Sequence, residues 1–157
     1  MKPKIGIPEK KLDKVAEQLS VVLANEMVLY VKTRKFHWNV SGESFMELHK
    51  LFESQYTKLE RSIDEIAERI NKLGSPAIGT MQEFLKVTTL KEHPHKYPSS
   101  KDMLGELLDD HESIIILLRK EIKTCSEKHE DAGTADFMTG LMELHETNAW
   151  ILRRYLK

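Results

Sequence analysis

Residues 36–70 run F-H-W-N-V-S-G-E-S-F-M-E-L-H-K-L-F-E-S-Q-Y-T-K-L-E-R-S-I-D-E-I-A-E-R-I, from Phe36 to Ile70, and the fold is read outward from them. Between Glu43 and Leu73 neither proline nor glycine intervenes, and apolar residues recur at Phe45, Leu48, Phe52, Leu59, Ile63, Ile66 and Ile70. That spacing predicts one long helix. On a wheel of about 100° per residue with His49 at zero, the apolar residues fill a sector from roughly 260° to 320°. Glu53, Asp64 and Glu68 fall at roughly 40°, 60° and 100° on the same wheel, a polar stripe beside the apolar face.

Each half of this stripe is an i, i+4 pair, His49 with Glu53 and Asp64 with Glu68, able to offer two ligand atoms to one ion. The two halves of one helix cannot share that ion. His49 and Asp64 are fifteen residues apart, roughly 22 Å along a helix axis, whereas ligand atoms sit about 2.0–2.3 Å from a metal. A second copy of the helix, antiparallel across a two-fold axis near Lys58 and Leu59, would bring His49 and Glu53 opposite Asp64 and Glu68 of its partner. Such an isologous pair carries two equivalent sites. The spacing therefore suggests a metal centre at a subunit interface. The plain alternative is a set of solvated polar residues beside a core face, where most helical acids lie.

A longer pattern bears on that choice. His37-Trp38-Asn39-Val40, Gly42, Phe45, Leu48-His49, Glu53 and Asp64-Glu65-Ile66-Ala67-Glu68-Arg69 together resemble the signature of the Dps family of miniferritins, the DNA-protecting proteins of starved cells. In that family the His matching His37 is a metal ligand, and the Trp matching Trp38 is thought to intercept oxidising equivalents. The acid matching Glu53 is often Asp in the family. The resemblance continues through the D-x-x-T-x-D shape of Asp131, Thr134 and Asp136 and the closing Trp150-Ile151-Leu152-Arg153.

With 157 residues, the chain is read as a single domain, large enough to bury a core without disulfides or structural metal. Hydrophobic residues at 40%, charged residues at 31%, seven glycines and five prolines suit a helical protein. The net charge of −1 gives the whole chain no electrostatic bias toward nucleic acid. No stretch approaches the roughly 18 apolar residues of a membrane span, and the opening residues lack an apolar leader, so the expected location is the cytoplasm. The single cysteine, Cys125, excludes an intrachain disulfide and reads as core filler.

Around the central helix, residues 1–8 with Pro3, Gly6 and Pro8 read as a short flexible tail. Leu12, Val15, Leu19, Val22 and Leu29 then mark a first long helix to about Lys35. Leu73-Gly74-Ser75-Pro76 is a stop. A connection from about Gly79 to Ser99 follows, with a short helix at Met81–Leu85 capped by Thr80. Glu92 and His95 spell E-x-x-H, the ligand spacing of di-iron bundles, but Pro94 lies inside it. No other E-x-x-H occurs, which argues against a metal centre buried within each bundle. A third long helix starts at Ser99 or Ser100, and Asp109-Asp110-His111-Glu112 within it reads as a solvated face. Glu127–Gly133 reads as a break, with Thr134 capping a last helix.

Four long helices with one long middle crossover predict an all-α, ferritin-like four-helix bundle carrying a short extra helix in the crossover. The resemblance implies assembly of twelve subunits into a hollow shell. Two imidazoles and three carboxylates suit iron and also admit zinc or manganese. The resemblance implies ferroxidase chemistry, in which ferrous iron and hydrogen peroxide are the substrates and ferric mineral is stored. His37, His49, Glu53, Asp64 and Glu68 would be the ligands, and Glu127, Glu130, Asp131 and Asp136 would line iron-entry pores. A DNA-condensing protein with little ferroxidase activity is the reading from another class, carried by Lys2, Lys4, Lys10, Lys11, Lys14, Arg153, Arg154 and Lys157.

Overall fold

The computed structural model describes residues 2–157. Its helices are α1 (Glu9–Asn39), α2 (Phe45–Lys72), α3 (Met81–Val87), α4 (Ser100–Thr124) and α5 (Ala132–Tyr155), and a π-helical turn at Cys125–His129 extends α4. No strand occurs among the described residues, so the predicted all-α architecture is observed. No helix among them is long and apolar enough to cross a membrane.

Side-chain pairs define the topology. Tyr30 meets Tyr56 and His37 meets His49, so α1 and α2 are antiparallel. Lys32 pairs with Asp110 and Gln18 with Glu121, so α4 also runs antiparallel to α1. Arg69 reaches Thr134 and Tyr155 reaches Glu47, which sets α5 antiparallel to α2. The order is up, down, down, up. The link from α2 to α4 must therefore travel the length of the bundle, which explains its length. Asn25, buried in the middle of α1, pins that link: its side-chain oxygen accepts from the Thr88 hydroxyl at 2.7 Å and from the backbone N–H groups of Thr89 and Leu90 at 2.8 and 3.2 Å. α3 opens with Thr80 and Glu83 in a reciprocal capping box.

Leu12, Leu19, Leu29, Phe36, Phe52, Leu59, Ile66, Leu107 and Leu118 are among the side chains sealed in the core. The expected tail is non-helical, and its start lies against the end of α2: Lys2 bonds Asp13 and Ser75. Gly74, at φ +82°, lets Pro3 approach where a Cβ would stand 2.5 Å from the proline ring. E-x-x-H at Glu92–His95 is in the crossover loop, outside any helix.

Three expectations are corrected. α1 continues to Asn39, so His37 sits in its last turn instead of beyond it. The break near Glu127 is shorter than its polar composition suggested, because the π turn carries the helix to His129. Asp131, not Thr134, caps α5. Its carboxylate accepts from the Thr134 N–H at 2.9 Å and from the Thr134 hydroxyl, while Arg69 donates to that hydroxyl oxygen at 2.9 Å.

The Asp109–Glu112 stretch is the fourth correction, since only part of it is a solvated face. Asp109 is exposed, but His111 is completely buried and Asp110 pairs with the buried Lys32 at 2.6 Å. α4 is covered by α1 on one side and α5 on the other, so a wider sector than its apolar stripe is enclosed. Polar residues within that sector are tolerated because each meets a partner. Cys125 is buried, and burial pushes its thiol up to about 11, in keeping with a filler role.

Asp131→Ala removes the cap and strands the Thr134 N–H, and should cost about 2 kcal/mol, or roughly 4–8 °C in thermal midpoint. Asp131→Asn, which keeps one acceptor, should lose less than half of that in the same melting experiment.

Candidate metal centre

The turn between α1 and α2 determines what His37 and His49 can do. Gly42, at φ +106°, supplies a left-handed residue that reverses the chain within a few positions. The two imidazoles then stack, with ring centroids 3.7 Å apart and planes inclined by 21°. Each bonds the other's backbone: His37 Nδ1 to the His49 carbonyl at 2.8 Å, and His49 Nδ1 to the His37 carbonyl at 2.9 Å. A carbonyl oxygen only accepts, so both Nδ1 atoms are donors. In the neutral rings both Nε2 atoms then carry free lone pairs, the state a metal ligand requires.

Neighbouring groups hold this pair in place. Tyr56 lies edge-on to His37 at 5.2 Å and Phe45 lies against His49 at 5.2 Å. His37 is 8% exposed, and its ring is held by the His49 carbonyl, the His49 ring and Tyr56. The Arg34 guanidinium lies 4.7 Å from the Tyr56 ring, 5.5 Å from Tyr30 and 5.4 Å from Trp38, and donates to the Tyr30 hydroxyl at 2.6 Å. Sequence reading missed this cluster. Its trace was present as Tyr30, Arg34 and Trp38 at successive i, i+4 steps, which place them on one face of α1.

The remaining candidates lie on the outside of the subunit. Glu53, Asp64 and Glu68 are exposed on α2, and Glu68 has only the flexible Lys72 as a partner, at 3.0 Å. α2 is unbroken from Phe45 to Lys72, so the separation of His49 from Asp64 along the axis remains roughly 22 Å. Among the described residues no cluster of three or more His, Cys, Asp or Glu within one subunit is arranged to hold a metal. Near the centre of α2, Lys58 and Glu60 face outward while Leu59 is sealed in the core. Trp38 is 63% exposed, with Met46 and Trp150 also open on the single subunit.

The four acids near the α4–α5 turn differ in environment. Glu127 and Asp136 are exposed without an ion-pair partner among the described residues. Glu130, in the left-handed region at φ +58°, pairs with Lys11, which holds its carboxyl below the ordinary range. Asp131 is 3% exposed, its oxygens engaged by Thr134 with Arg69 nearby.

A family model of the ferritin-like domain matches residues 16–157. The fold is thus that of a ferritin-like protein, and the relatives narrow the class. The chain is 44% identical over 153 residues to an uncharacterized low temperature-induced protein of Nostoc sp., covering 98% of this chain and 86% of the relative. It is 34% identical over 142 residues to DNA protection during starvation protein 2 of Bacillus anthracis, covering 90% and 96%. Among solved structures, the Dps protein of Vibrio cholerae O1 matches with a TM-score of 0.93 at 33% identity, over 99% of this chain and 97% of that one. That protein is described as a member of a broad superfamily of ferritin-like diiron-carboxylate proteins. Dps from Thermosynechococcus elongatus matches with a TM-score of 0.89 at 32% identity, over 94% and 93%. This chain belongs to the Dps family of miniferritins.

The crossed histidine contacts predict a specific tautomer. In metal-free protein with neutral imidazoles, nitrogen NMR of histidine-labelled material should show His37 and His49 as Nδ1–H tautomers, against the Nε2–H form that the free histidine side chain prefers. Observation of Nε2–H at either residue would contradict the crossed arrangement.

Proposed function

We propose that this protein oxidises and stores iron, with each oxidation site shared between two subunits of a hollow, twelve-subunit shell. The observation that carries the reading is the pair of Nε2 lone pairs kept free at one end of α2, with acids that no partner in the same subunit completes at the other. An antiparallel second copy of α2 would complete the set. His37 and His49 would ligate from one chain, and Asp64 and Glu68 from its partner. Glu53, one turn from His49, would be a ligand or would orient one. The exposed Lys58 lies near the proposed two-fold axis.

Two imidazoles and three carboxylates are a donor set suited to ferrous iron, and zinc could compete for it. Iron is substrate in this reading. Two ferrous ions each give up one electron to one hydrogen peroxide, which takes up two protons and leaves as two waters. Iron and peroxide, which together would generate radicals, are consumed in one reaction, and ferric mineral is retained in the cavity. This would protect DNA without contact with it. Trp38, beside His37 in the chain, would supply an electron to oxidising equivalents that escape. Glu127, Glu130 and Asp136 would draw ferrous ions along an entry route, with Asp131 fixing the turn that presents them. A cytoplasmic site of action fits this role.

Anaerobic ferrous loading followed by substoichiometric peroxide tests the chemistry. Ferric absorbance should rise faster than in a protein-free control, and trapped hydroxyl radical should fall below it. An oxidation rate equal to the control would overturn the reading. Sharing is tested by co-assembling two inactive variants, His49→Ala/Glu53→Ala and Asp64→Ala/Glu68→Ala. Random pairing across the axis restores one of two sites in half of the pairs, so about a quarter of the wild-type activity should return. No recovery in verified mixed shells would rule out the shared site.

Direct DNA binding is the second reading, invited by the names of the relatives. The N-terminal lysines argue for weak binding: Lys2 pairs with Asp13, Lys11 with Glu130 and Lys14 with Glu17, leaving Lys4 and Lys10 without a carboxylate partner among the described residues. Any complex seen in a gel shift at low salt should be lost by about 0.15 M salt. Retention above that concentration would favour the DNA-condensing reading.

A further inference from the structure

The centre of the bundle holds a chain of three ionisable side chains, none of which belongs to the proposed metal site. Glu26 of α1, His145 of α5 and His111 of α4 are each 0% exposed. Glu26 Oε1 lies 2.5 Å from His145 Nε2, and His145 Nδ1 lies 2.8 Å from His111 Nδ1. Glu26 Oε2 and His111 Nε2 have no partner in the chain.

Each of the two short contacts holds one proton, because a contact between two acceptors needs one and has no room for two. With a third proton on His111 Nε2, the three residues together are neutral, the ionised carboxylate and one imidazolium cancelling. A fourth proton would have to enter at Glu26 Oε2 or break a contact, and either would leave a net positive charge in the core. Other buried charges do not offset it. Lys32 of α1 and Asp110 of α4 pair with each other, Glu121 of α4 is engaged by Gln18 and Lys120, and Asp131, which caps α5, is engaged by Thr134 and Arg69. The further buried polar side chains Gln55 of α2 and Asn148 of α5 are neutral amides.

We propose that Glu26, His145 and His111 act as a proton-counting lock on the subunit, holding three protons in the folded bundle and releasing the fold when acidification demands a fourth. In an unfolded chain both imidazoles protonate near pH 6.5 and the carboxylate near 4.3. Between those values the unfolded residues carry four protons and the folded ones three, so the lock weakens as pH falls through that window. The folding constant loses about tenfold per pH unit from this cluster alone. The depressed His111 imidazole, caused first by burial and then by neighbouring His145, has the matching sign: its stabilisation is present above pH 6.5 and is lost below it.

Two substitutions separate this lock from an ordinary buried hydrogen bond, because they shift the count in opposite directions. In His111→Leu the remaining Glu26 and His145 hold two protons whether folded or unfolded at pH 5.4. In Glu26→Gln the two imidazoles hold two protons folded and four unfolded. The test is potentiometric proton uptake when metal-free, assembled protein is unfolded by guanidinium at pH 5.4. Relative to wild type, uptake per subunit should fall by about one proton in His111→Leu and rise by about one in Glu26→Gln. Other groups contribute equally and cancel in the difference. If either variant fails to fold, the other still gives its signed difference. Uptake within a quarter of a proton of wild type in a folded variant, or a change of the opposite sign, would overturn the proposal.

Discussion

α1 must satisfy three neighbours at once, and the rest of the subunit follows from how it does so. It packs along α2 and α4 in opposite sense and carries the crossover across its middle. Its apolar residues serve the core, while Asn25 holds Thr88, Thr89 and Leu90, and Lys32 holds Asp110. The buried Asn25 has a specific task. A crossover that must travel the length of a bundle otherwise has only surface contacts, and one buried acceptor taking several donors fixes its path.

A helix is stiff, and this stiffness connects the fold to the proposed chemistry. On an unbroken α2, the His49 and Glu53 pair and the Asp64 and Glu68 pair remain apart however the side chains turn. The α1–α2 turn uses the same rigidity differently. By bringing two helix ends together it lets His37 and His49 use each other's carbonyls, and the backbone thereby selects the nitrogen left for a ligand.

Polar residues behave oppositely on the two sides of the bundle. Those of α2 that face outward have few partners within the subunit, whereas Glu26, His111, His145 and Asp131 are fully enclosed and bonded. Both kinds are acids and histidines at helical spacing, so residue type alone does not separate them. What separates them is whether a neighbouring helix covers that sector, which is a property of packing. The Asp109–Glu112 stretch straddles the boundary, which is why one residue of it is solvated and another sealed.

The sequence by itself determined the helices, the long crossover, the Thr80 cap and the polar stripe of α2, because these depend on periodicity and on turn residues close together in the chain. It also carried the resemblance to the family, which the comparisons bear out. Only the tertiary structure decided that Asp131 caps α5, that His37 and His49 cross-bond, that Arg34 gathers three aromatic rings, and that Glu26, His145 and His111 meet in the core. The physical reason is distance along the chain. A hydrogen bond between residues 26 and 145 leaves no periodic trace at either position, since each side chain is polar for the sake of a partner that local spacing cannot name.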